Sequence, residues 1–128
     1  MVQWNEYRKQ AAERGALAME FYVVRSMPAG DPEAVKASLP DHLAYQRNLE
    51  ESGRLVMAGP ISDESGEQMI GAGMIIYRAD SMEDATQLAE EDPMHKSGAR
   101  SFCLRKWLVN EGRLNVSVGL STGFSSLS

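Results

Sequence analysis

Residues 55–77 read LVMAGPISDESGEQMIGAGMIIY, two apolar runs joined by a hydrophilic turn. Residues 55–60 (LVMAGP) are short and apolar and predict a strand. Residues 62–68 (SDESGEQ) are hydrophilic and turn-rich, and residues 69–77 (MIGAGMIIY) predict a second strand. Two strands in succession with no helix between them belong side by side in an antiparallel sheet, because a parallel pair needs a long crossover. Gly71 and Gly73 inside the second strand suggest a bend or the close approach of another backbone.

Outward from this pair the pattern changes to helix on both sides. Downstream, Ser81 and Asp84 form a capping box, and Met82, Ala85, Leu88 and Ala89 line one face of a helix. Asp92-Pro93 closes that helix and caps a further short turn, after which residues 100–109 (RSFCLRKWLV) predict a strand. Upstream, Gly53 supplies the left-handed stop of a helix running to about Ser52. Asp31-Pro32 opens a short helical piece that Pro40 interrupts, and Ser38 is the candidate cap of the helix that follows. Before it come a loop over residues 27–31 (MPAGD) and a strand over residues 19–26 (MEFYVVRS).

The order is β-α-β-β-α-β, the ferredoxin-like string: an α+β fold with helices on one face of an antiparallel sheet. Trp4, Tyr7 and Ala11 share a helical spacing, so residues 1–18 predict an N-terminal helical extension with Gly15 as its stop. Residues 19–109 form the main domain, and residues 110–128 a C-terminal strand and tail. In that tail Leu114, Val116, Val118 and Leu120 alternate with polar or small residues, which predicts a strand pairing with an exposed sheet edge. Residues 121–128 are expected to fray. The first and third strands of the main domain are apolar at nearly every position, so a second copy is expected to cover the sheet's open face.

Composition narrows the function classes. The 128 residues suit one domain, and 43% hydrophobic with 24% charged residues is ordinary for a globular protein. A net charge of −5 without a basic cluster argues against nucleic acid and anionic membrane surfaces as partners. No apolar run is long enough to span a bilayer, and the polar N-terminus is no secretory signal, so a cytoplasmic home is expected. With one cysteine and two histidines there is no disulfide framework and no His/Cys zinc motif within one chain. Gly71-Ala72-Gly73 lacks the spacing and the lysine of a phosphate loop.

Few side chains remain that could carry chemistry. His42, read as lying near a helix start, shares a face with Tyr45 and Leu49. A helix N-terminus disfavours imidazolium, so the expected form is the neutral base. The plainer reading is a histidine satisfied by local hydrogen bonds. Asp92 before proline is a structural cap, or a carboxylate that orients an imidazole. His95, three residues on, lines the same pocket or points to solvent. Cys103 in an apolar strand reads as core.

The ordered set Phe21-Tyr22-Val23-Val24, His42-Leu43-Ala44-Tyr45, Gly53-Arg54-Leu55-Val56-Met57-Ala58-Gly59-Pro60 and Asp92-Pro93 with Ser97-Gly98 resembles the YCII-related (YciI-like) family of the dimeric α+β barrel superfamily. The start of the second helix, Ser81 with Glu83, Asp84 and Ala85, adds to the resemblance. It implies a His–Asp pair at His42 and Asp92 facing a pocket between sheet and helices, and a homodimer or higher homo-oligomer. Where this family has an aromatic after Asp-Pro the chain has Met94, and it has Ser97 where alanine is common. Characterised relatives resemble dehydrochlorinases or lactone-processing enzymes. The expectation is a cofactor-free acid–base enzyme, lyase- or isomerase-like, acting on a small cyclic or aromatic-derived metabolite. His42 and Asp92 would be catalytic, with Tyr45 and His95 contacting substrate. The alternatives are a non-catalytic binding or assembly module, or a metal site built across a dimer from His42, Asp92 and His95.

Overall fold

The computed structural model describes residues 1–128, with elements α1 (Trp4–Glu13), β1 (Met19–Pro28), α2 (Pro32–Glu51), β2 (Leu55–Ser62), β3 (Met69–Tyr77), α3 (Met82–Glu91), α4 (Pro93–Lys96), β4 (Arg100–Val109), β5 (Val116–Val118) and β6 (Ser125–Leu127). The chain divides into two compact units, Glu20–Trp107 on one side and Met1–Met19 with Leu108–Ser128 on the other.

In the unit Glu20–Trp107 a four-stranded sheet runs in the order β2-β3-β1-β4, the ferredoxin-like arrangement. β3 is central and pairs antiparallel with β1, Val24 opposite Ile75, and with β2, Ala58 opposite Ile75. Strand alternation sends Tyr22 and Val24 of β1, Ile75 and Tyr77 of β3 and Leu104 of β4 into one core with Leu49 of α2 and Ala85, Leu88 and Ala89 of α3. Residues directly opposite share a face, so Val23, Ile76 and Met57 lie on the other side of the sheet, as do Arg25 and Met74.

The helices follow their caps. Asp31 accepts from the Glu33 N–H at 3.0 Å with Pro32 in the first helical position, and Ser81 accepts from the Asp84 N–H at 3.0 Å. α2 ends at Gly53, with φ +78°: Arg54 N–H donates to the Leu49 carbonyl at 2.8 Å and Gly53 N–H to Glu50 at 3.1 Å. The expected break at Pro40 does not occur. α2 is one helix of 20 residues with Pro40 inside it, and Ser38 caps nothing. Its Oγ instead lies 3.0 Å from Ser97 Oγ beside α4. The propensity cost of an internal proline is outweighed by tertiary packing along the helix. β1 also extends beyond its expected end, through Met27 and Pro28. At Gly71, φ is +83° and a Cβ would sit 2.7 Å from the Pro28 ring, so the close approach is made by a proline side chain.

In the other unit, α1 closes at Gly15 as expected, with Ala16 N–H donating to the Ala11 carbonyl at 3.1 Å. The C-terminal strand pairs differently from expectation. β5 joins β6 in a two-stranded antiparallel hairpin, Val116 opposite Leu127, and residues 125–127 are a strand. The turn explains the change: Gly119 N–H donates to the Phe124 carbonyl at 2.7 Å and Gly123 N–H to Gly119 at 2.9 Å. Local closure wins over a distant edge because its loop is short.

Candidate active site

Asp92 stands where α3 ends and α4 begins. Its backbone leaves helical geometry there, and Oδ1 accepts the Met94 N–H at 2.9 Å. Capping aims the carboxylate inward, where it is 0% exposed. Across from it, three turns into α2, His42 presents Nδ1 at 2.8 Å from Oδ1 and 2.9 Å from Oδ2. An ionised carboxylate only accepts, so Nδ1–H donates. The neutral ring then carries its lone pair on Nε2, which has no protein partner. His42 is thus not at a helix start, and the field of the α2 N-terminus, which fades within the first turn, does not act on it. Its orientation comes from Asp92.

A second chain of hydrogen bonds runs beside the pair, and its directions follow from its ends. The Ala89 carbonyl can only accept, so His95 Nδ1–H donates to it at 2.8 Å. Neutral His95 therefore accepts at Nε2 from the Ser26 hydroxyl, 2.8 Å away. Arg100 completes the chain, donating from Nε to Ser26 Oγ at 2.8 Å and from Nη2 to the Ser26 carbonyl at 3.0 Å. Nη2 also donates to the Gly71 carbonyl. Burial lowers the pKa of His95, opposed by the Ala89 carbonyl and the Asp92 charge. Burial also lowers that of Arg100, again opposed by Asp92. The His95 ring packs on Phe102 with centroids 4.7 Å apart.

A cleft of about 510 Å³ opens between α2 and the sheet. Its walls are mainly apolar, with Val35, Leu39 and Leu43 on α2 facing Pro60, Ala72 and Ile75 on the strands. Four polar or charged side chains reach it: Ser26, His42, Gln46 and Arg100. No aspartate or glutamate lines it. No group of three or more His, Cys, Asp or Glu side chains is placed to hold a metal ion.

Of the four residues singled out from sequence, His42 and Asp92 meet, fifty positions apart in the chain. Tyr45 and His95 do not line this cleft. The Tyr45 hydroxyl donates to the Leu88 carbonyl at 2.7 Å, and burial, with Glu91 and Asp92 nearby, pushes its pKa up to about 12. His95 is held between Ser26 and Ala89. Sequence reasoning missed Ser26 and Arg100. An arginine opening an apolar strand was the available signal; nothing marked the serine. It missed Tyr77 too, whose hydroxyl is buried without a hydrogen-bond partner and whose pKa is raised by burial, then by Asp92 and Tyr45. Cys103, expected in the core, is exposed because it points to the face opposite buried Leu104.

Comparison with known proteins comes to the same domain. The family described as the YCII-related domain matches residues 19–107. The uncharacterized protein YjpA of Bacillus subtilis is 32% identical over 70 residues, covering 55% of this chain and 75% of YjpA. Among solved structures, the 5-chloro-2-hydroxyhydroquinone dehydrochlorinase of Burkholderia phenoliruptrix, in complex with 2,5-dihydroxybenzoquinone, superposes with a TM-score of 0.57 at 22% identity. That likeness covers 70% of this chain and 93% of the dehydrochlorinase, and it is a likeness of fold.

Proposed function

The chain belongs to the YCII-related family, and from that footing we propose a cofactor-free acid–base enzyme that performs an elimination or isomerisation on a small cyclic or aromatic-derived metabolite. The observation that carries this reading is a histidine whose Nδ1 is fixed on a buried carboxylate while its Nε2, unpartnered, belongs to a side chain lining an apolar cleft. That is the arrangement of a general base with its orienter. His42 takes a proton from the substrate at Nε2. The bonding pair left behind forms a new double bond. In an elimination the leaving group departs with its own electron pair as an anion; in an isomerisation the imidazolium returns the proton at another atom. Asp92 stabilises the transient imidazolium and stays ionised. The dehydrochlorinase with the same fold, and the ring it binds, support a cyclic oxygenated substrate. A histidine that merely fixed a helix contact would need no cleft beside it.

The domain works as a homodimer in the cytoplasm, on the same proposal. The sheet face away from the helices carries Met57, Met74 and Trp107, each more than a third exposed in the single chain. No helix is long and apolar enough to cross a membrane. The test is solvent-deuterium exchange. Quinones, lactones and cyclic enols are incubated with the protein in D₂O, and loss of acidic C–H signals or release of halide is followed by NMR. The wild-type protein catalyses exchange or elimination on members of the panel, and His42→Ala lowers the rate by about 10²–10⁴-fold. Equal rates for the two proteins would overturn the assignment.

A further inference from the structure

We propose that Arg100 forms an anion subsite in the same cleft, selecting a planar, largely apolar substrate that carries an ionised oxygen. The inference rests on the acid–base reading of His42 and adds the charge of the substrate to it.

Three observations support it. First, Arg100 is the only charged side chain lining a cleft from which every carboxylate is absent, in a chain of net charge −5. The electrostatic character of the cleft is therefore opposite to that of the molecule. Second, the guanidinium has no counter-ion. Its neighbours are a hydroxyl and two backbone carbonyls, and the nearest influential acid, Asp92, is engaged by His42 and Met94. A partly buried cation without a paired anion is costly unless a ligand supplies one. Third, its donors are unevenly used. Nε and Nη2 are bonded to Ser26 and Gly71, whereas Nη1 has no protein acceptor and keeps two N–H groups free.

The anchoring explains why the group can serve. The chain from Ala89 through His95 and Ser26 clamps Nε, and the Gly71 carbonyl clamps Nη2, so the fork is held in one plane before any ligand arrives. Such preorganised donors stabilise an oxygen anion without reorganising. Proton removal by His42 next to a carbonyl moves an electron pair onto that oxygen, and Arg100 would hold the resulting enolate or phenolate. Apolar walls from Leu39, Leu43, Pro60 and Met94 suit the ring that bears it.

The probes are 4-nitrophenolate and its uncharged ether, 4-nitroanisole, titrated into the protein at a pH well above the ionisation of the free phenol. The wild-type protein should bind the phenolate at least about tenfold more tightly than the ether, as expected of a charge-assisted hydrogen bond. Arg100→Gln should remove this preference and Arg100→Lys should keep part of it. The comparison of the two ligands on wild-type protein needs no variant, so a misfolded Arg100→Gln leaves the test intact. His42→Ala should abolish deuterium exchange yet keep the phenolate preference, which separates failure of the base from failure of the subsite. Equal binding of the two ligands by the wild-type protein, or no saturable phenolate binding, would contradict the proposal.

Discussion

Asp92 accepts from two donors, Met94 N–H at Oδ1 and His42 Nδ1–H at both oxygens, and the two differ in what they tolerate. Oδ1 accepts from Met94 N–H, a bond that an asparagine oxygen could keep. An asparagine so placed would turn its NH₂ toward His42 Nδ1, at the position where Oδ2 now accepts over 2.9 Å. Its oxygen, though, would stay 2.8 Å from Nδ1 and keep accepting Nδ1–H, so what is lost is the negative charge that stabilises the imidazolium. Asp92→Asn should therefore keep the fold, with melting close to wild type, and lose activity by up to about 10⁴-fold because the charge beside the imidazolium is gone. His95 permits a pH prediction. Burial holds its folded pKa below the unfolded value, so between the two the unfolded chain binds more protons. Stability then falls as pH drops through about 6.5, and denaturant melts should show a weaker decline in His95→Gln. An identical pH profile in the variant would remove His95 as the source. The types of residue at the site were legible: a histidine and an Asp-Pro at family-like spacing. Tyr45 and His95 were legible only as neighbours in sequence. Where their polar atoms go depends on carbonyls of α3, Leu88 and Ala89, that no local pattern reveals.

At the scale of elements, α2 shows where local rules reach their limit. Proline inside a helix removes one hydrogen bond and crowds the preceding turn, so sequence alone argues for a break at Pro40. The helix runs through, held by Leu49 in the core and by His42 and Ser38 against the α4 region. Restoring the missing N–H should stabilise it: Pro40→Ala is expected to raise unfolding stability by about 1–2 kcal/mol, the helix gain of up to about 3 less the entropy proline removes from the unfolded chain. Chemical denaturation measures this, and a destabilised variant would mean that the proline shapes the helix needed for packing. The caps, by contrast, were readable residue by residue. Asp31, Ser81 and Asp92 all accept the N–H two or three residues on, and Gly53 takes the left-handed stop. The β5–β6 hairpin was half legible. Alternation marked β5, but its partner is the Ser-rich segment 125–127, whose composition argues for fraying rather than pairing.

At the largest scale the unit Glu20–Trp107 is a ferredoxin-like sheet whose helix face is closed by α2 and α3 and whose other face carries exposed apolar side chains. On that face Met57 is 50%, Trp107 43% and Met74 38% exposed. A second copy covering it should bury at least about 1,000 Å² in total. Sedimentation equilibrium should give a dimer at micromolar concentration, and Met57→Asp with Trp107→Asp should shift it to monomer. A wild-type monomer under those conditions would refute the dimer. The fold order was legible because strand and helix patterns alternate as β-α-β-β-α-β along residues 19–109. What the order could not give was the crossing of α2 over α4, and that crossing makes the site. It brings together two side chains fifty positions apart and leaves Nε2 of His42, a side chain lining the cleft, without a partner. Nitrogen-15 NMR of the histidine rings, at a pH where they are neutral, reads this directly. His42 is expected to carry its proton on Nδ1, with Nε2 unprotonated. A wild-type His42 protonated on Nε2 would contradict it.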